Sequence, residues 1–106
     1  QRLLERIDTF IPHKEVIDLY HEILPMCPVV KQWTDTRKRY LKARWQEDKE
    51  RQDLQWWKGL FEYIAQSRFL TGQVISKDRR SFIVNLEWIL RPANFVKIIE
   101  GNYHHD

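Results

Sequence analysis

The sequence predicts a mainly α domain, a compact bundle of about five helices with a small β-hairpin or long loop near residues 73–84. Three observations predict it. Apolar residues recur at helical spacing in separate segments, with residues of capping chemistry (Thr34, Asp53, Asn85) ahead of three of them. The four prolines stand at segment edges rather than inside them. Only two short stretches, Val74-Ile75 and Phe82-Ile83-Val84, have β-prone composition. At 106 residues, with 42% hydrophobic and 13% aromatic content, the chain can bury the core of one domain.

In chain order, residues 1–10 read as a linker or a short charged helix, broken at Phe10-Ile11-Pro12 because proline forces the preceding residue out of the helical region. From Lys14 to Leu24, Val16, Ile17, Tyr20, Ile23 and Leu24 define one apolar face, and Pro25 and Pro28 end the helix. Thr34 or Asp35 caps a second helix running to about Glu47. Asp53 caps a third, running to about Ser67, with Leu54, Trp57, Leu60, Phe61 and Ile64 on its core face. The turn Phe69-Leu70-Thr71-Gly72 leads into the hairpin, whose polar tip is Ser76 to Ser81. Asn85 caps a short helix through Leu90. Pro92 opens a last helix ending near Glu100, with Gly101 as its stop. The domain is expected over residues 11–103, followed by a tail of 104–106.

Charge is unevenly spread. Residues 31–58 carry nine Lys/Arg against five Asp/Glu, whereas residues 1–30 carry three against five. A basic middle third favours a polyanion or an acidic protein partner. On a wheel of the second helix, Leu41 and Trp45 face inward with Thr34, Arg39 points away, and Arg37, Lys38, Lys42 and Arg44 flank the apolar stripe on its two sides. A solvated basic face would account for these cations alone. Trp56 and Tyr63, seven apart on one shoulder of the third helix, add rings on which bases could stack, although packing against the first helix or the hairpin would equally explain Trp56. Lys77, Arg79 and Arg80 at the hairpin tip, with Arg68 near its base, are further candidate phosphate contacts.

Motifs for catalysis are missing. The sequence has no GxxxxGK[ST], GxGxxG or GxSxG string, and three glycines leave little for a phosphate cradle. Cys27 is single, so it can form no internal disulfide and points to a reducing compartment. The four histidines lack metal-ligand spacing, and Asp48, Glu50 and Asp53 read as cap and loop charges rather than as a two-metal centre. No enzyme, metal or other cofactor is therefore expected. No apolar run is long enough to span a bilayer, and no signal peptide is visible. The opening on Gln1 reads as that of a fragment of a longer protein.

One long string carries a resemblance. Phe61-x-Tyr63-Ile64-x-x-Ser67-x-Phe69-Leu70-Thr71-Gly72 is followed, after the hairpin, by Leu86-x-Trp88-Ile89-Leu90-x-Pro92-x-Asn94-Phe95-x-Lys97-Ile98-Ile99-Glu100-Gly101-Asn102-Tyr103. With the upstream Trp33-Thr34-Asp35-x-Arg37-x-x-x-Leu41-x-x-Arg44-Trp45, it resembles a C-terminal domain of phage and prophage replication proteins of the replisome-organiser or helicase-loader kind. The resemblance spans about Ile11 to Tyr103. It implies work in the cytoplasm of a bacterial host cell, on single-stranded DNA, the replicative helicase, or both. It also implies structural roles for Leu86, Trp88, Ile89, Phe95 and Ile98, a cap or loop bond for Asn94, and a contact role for Lys97. The leading expectation is an accessory DNA-binding domain of replication initiation. A pure protein-docking module, or a duplex-binding regulatory domain that sets Arg37–Arg44 in the major groove, remains open beside it.

Overall fold

The computed structural model describes residues 10–75 and 81–104. They form five α-helices, α1 (His13–Ile23), α2 (Asp35–Gln46), α3 (Leu54–Ala65), α4 (Leu86–Leu90) and α5 (Pro92–Ile99), with a 3-10 turn Lys49–Arg51 between α2 and α3. The expected leading segment up to Thr9, the hairpin tip from Ser76 to Arg80 and the last two residues lie outside the described residues.

The expected caps start the helices. Thr34 Oγ1 accepts from the Arg37 N–H at 3.2 Å, Asp53 from Gln55 at 3.0 Å and Asn85 from Trp88 at 2.8 Å. α5 opens on Pro92, whose missing N–H would have no helical partner there. It closes in a Schellman motif, in which Gly101 N–H bonds to Ile98 O and Asn102 N–H to Lys97 O, both at 3.0 Å. Gly101 takes φ 82° to do so.

α1 packs on α3, α2 packs on α4, and α4 folds back against α5. Trp57, fully buried, is the hub. Its ring lies 6.4 Å from Trp45, 6.1 Å from Phe61 and 5.9 Å from Phe95, so α2, α3 and α5 meet on one side chain. The indole N–H donates to Arg51 O at 2.7 Å, which gives the 3-10 turn a job: it satisfies the donor that burial would otherwise strand. Val16 and Tyr20 of α1 and Leu24 at its C-cap complete the core, with the Tyr20 hydroxyl donating to Pro28 O at 2.6 Å.

Two expectations, on Thr34 and His104, need correction, and between them the choice of hairpin or long loop is decided for the loop. Thr34 is exposed; its hydroxyl is spent on the cap and does not face the core. The two β-prone pieces form no strands among the described residues. Instead Thr71 and Ile83 make a single antiparallel bridge, and Val84 N–H bonds to Leu70 O at 3.0 Å. The pairing falls earlier because the Gln73 N–H turns back to Arg68 O at 2.8 Å, which leaves Val74 and Ile75 exposed. His104, expected in the tail, is docked: its ring stacks on Tyr63 at 3.6 Å and its Nε2 lies 2.7 Å from Tyr63 O.

Candidate nucleic-acid interface

The five cations of α2 separate into two sets, and the helix wheel explains how. Relative to Leu41, Arg37 and Arg44 fall on one shoulder of the apolar stripe, at about 40° and 60°, while Lys38 and Lys42 fall on the other at about 60° and 100°. The first shoulder meets α4. Arg37 Nε pairs with Glu87 at 3.0 Å, its Nη1 donates to Gln32 O at 2.9 Å, and Glu87 in turn pairs with Arg91 at 2.7 Å. Both guanidiniums hold the Glu87 carboxyl below the usual range.

Arg44 goes further inside. It is only 5% exposed; Nη1 donates to Leu90 O at 2.8 Å, and Nε and Nη2 grip Glu47 at 2.9 and 2.7 Å. Arg44 was expected to meet a phosphate. Its donors are committed to the interior, so it is a bolt between α2 and α4. Arg37 is half-buried in its ion pair and is likewise mainly a clamp.

The second shoulder is free. Lys38, Arg39 and Lys42 are exposed and form no ion pair among the described residues, Arg39 making only a 3.4 Å contact with Thr36. Close to Lys38, across His13, stands an aromatic residue outside the basic stripe. Trp33, half-buried just ahead of the Thr34 cap, donates its indole N–H to His13 Nδ1 at 3.2 Å, and the two rings meet edge-on at 5.8 Å. His13 titrates below 6.5, first because it is partly desolvated and second because the Lys38 ammonium is near. Through His13, α1, Trp33 and Lys38 thus share one neighbourhood at the start of α2. The signal in the sequence was Trp33-Thr34, a ring held one residue before a cap.

Trp56 and Tyr63 do not join that surface as expected. Trp56 stacks on Phe95 at 5.9 Å, meets Trp57 edge-on at 5.3 Å, and has the Arg51 guanidinium 5.6 Å from its ring centre. Its ring packs on Phe95 of α5. Tyr63 has one ring face covered by His104. Lys97 is exposed in the last turn of α5 and unpaired among the described residues. Lys77, Arg79 and Arg80 lie outside the described residues; Arg68 is exposed.

A second surface feature was not anticipated. Phe69, Phe82, Trp88 and Tyr103 form a closed set of four rings, with neighbouring centres 5.2 to 5.8 Å apart. Phe69 is 39% exposed and the other three are half-buried. Asn94 was expected to cap or to bond a loop; its Nδ2 instead donates to Trp88 O at 3.0 Å, tying α5 back to α4.

Among the described residues, no three His, Cys, Asp or Glu side chains converge as metal ligands, and no helix is long and apolar enough to cross a membrane. Cys27 is buried, which pushes its thiol up to about 11. Compared with known protein families, curated proteins and solved structures, the chain matches none.

Proposed function

We propose that this domain binds single-stranded DNA, as an accessory domain of a phage-type replication initiation protein. The observation that carries the proposal is the free shoulder of α2: Lys38, Arg39 and Lys42, exposed and unpaired among the described residues, beside half-buried Trp33. Cations without carboxylate partners can neutralise phosphates at no loss of internal ion pairs, and a ring beside them offers a base a stacking face. The replication setting is supported by the string from Phe61 to Tyr103.

Binding measured by anisotropy of a labelled oligo-dT tests this reading. Three phosphate contacts give a slope of roughly −2 in log Kobs against log salt. The triple change Lys38→Ala, Arg39→Ala, Lys42→Ala should remove most of that slope.

A second reading has its own support. Exposed aromatic edges such as those of Phe69, Phe82, Trp88 and Tyr103 are what protein hot spots are made of, so the same domain can also dock on the replicative helicase. A pull-down of the helicase that survives nuclease and is lost on changing Phe69 to Ser would support it.

A further inference from the structure

On the α1–α3 side of the molecule the charge is reversed. A groove of about 310 Å³ runs between the two helices, lined by Glu15, Asp18, Leu19 and Glu22 of α1 and by Leu54 and Lys58 of α3. The α1 residues lie at i, i+3, i+4 and i+7, a single helix face about 10 Å long. Leu19 and Leu54 are half-buried and form an apolar floor, while Glu15, Asp18 and Glu22 are exposed along the α1 wall. Asp18 pairs with Lys14 at 2.8 Å, a pair that is solvent-exposed on both sides and so easily exchanged. Glu15 and Glu22 form no ion pair among the described residues, and Lys58 is the one cation on the groove wall.

A carboxylate wall repels phosphate, so this groove is no part of a nucleic-acid path. An apolar floor edged by carboxylates suits the opposite occupant. We infer that the α1–α3 groove docks a basic amphipathic helix of a partner protein, whose aliphatic side chains enter over Leu19 and Leu54 while its lysines or arginines meet Glu15, Asp18 and Glu22. The mode is helix in groove: the floor supplies affinity, and the rim charges supply orientation and rate. A second copy of this chain is a poorer occupant. Its own basic helix, α2, presents Lys38, Arg39 and Lys42 outward with no aliphatic side chain among them to enter the floor. This inference does not rest on DNA binding at α2.

The probe is a fluorescein-labelled peptide of lysine and leucine with leucines at i, i+3, i+4 and i+7. Two control peptides accompany it, one with the same composition in scrambled order and one with glutamate in place of lysine. The amphipathic basic peptide should bind one to one, with amide shifts confined to α1 and α3. Glu15→Gln with Glu22→Gln should weaken it at least fivefold, as should Leu19→Lys. Neither variant touches the core side chains Val16, Tyr20 or Leu24, and circular dichroism checks that each stays folded. Equal binding of the scrambled peptide, or affinity unchanged in both variants, would overturn the inference. Sedimentation showing a dimer that the two glutamine changes dissociate would overturn it in favour of a second copy.

Discussion

Arg44 and Leu90, forty-six residues apart in sequence, are joined by one hydrogen bond of 2.8 Å from the buried guanidinium to the carbonyl at the end of α4. Glu47 closes the other side of the guanidinium with two bonds, and Arg51 adds a third to the same carboxylate at 2.8 Å. This fork places α2 against α4 and so fixes which shoulder of α2 faces outward.

Changing Arg44 to Ala should therefore destabilise the fold and not merely weaken ligand binding. Leu90 O loses its buried donor and the aliphatic stem loses its packing, together about 2–4 kcal/mol. Glu47→Gln should cost under about 1 kcal/mol, because Glu47 is half-exposed and its pair is screened. Urea unfolding followed by circular dichroism separates the two. Arg44→Lys should fall between them, since an ammonium keeps the charge but cannot reproduce the fork.

Trp56→Ala is expected to lower stability by roughly 2 kcal/mol, part of the full cost of truncating a buried tryptophan, with little change in oligonucleotide affinity. The reason is that the ring is engaged by Phe95 and Arg51. Trp33→Ala should do the reverse, reducing oligo-dT affinity more than melting temperature. A Trp56 variant that stays fully stable but loses DNA would return the stacking site to α3.

The contrast between these residues shows what the sequence could convey. Helical stripes and caps are local: Thr34, Asp53 and Asn85 cap where their side chains can reach the following N–H groups, and Gly101 stops α5 where a positive φ is needed. Which shoulder of a stripe meets another helix is a tertiary fact. Arg37 and Lys38 are neighbours in sequence and alike in charge, yet one is held by Glu87 and the other is free. Which of hairpin or long loop would form was illegible for a related reason. β-propensity marked Val74-Ile75, but the backbone turn at Gln73 decided that Thr71 would pair with Ile83.

The fold should lose stability as pH falls through the range below 6.5, in part through His13. Its folded pKa is lowered, so between that value and 6.5 the unfolded chain binds a proton that the folded one does not. The contribution is fully present above 6.5 and disappears as pH drops toward the folded value. Protonation at Nδ1 would also remove the acceptor for the Trp33 indole. Thermal melts between pH 7.5 and 5.5 should show a shallower decline for His13→Gln than for the wild type. The His13 titration seen by NMR should move up in Lys38→Ala.

Gly101→Ala should cost about 1–2 kcal/mol. The residue sits at φ 82°, where a side chain is strained, and the added Cβ would stand 3.4 Å from the Tyr63 hydroxyl. The loss should loosen the Tyr63–His104 stack, which one-dimensional NMR of the histidine ring protons would register.

The most direct measurement is anisotropy of labelled oligo-dT against wild-type protein and the Lys38/Arg39/Lys42 triple alanine variant over a series of salt concentrations. With α2 as the DNA-binding shoulder, the wild type binds at low salt with a Kd on the order of micromolar, and each alanine reduces the salt slope by roughly 0.7. Absence of wild-type binding at that concentration, or a triple variant that binds as tightly and with the same slope, would contradict the account.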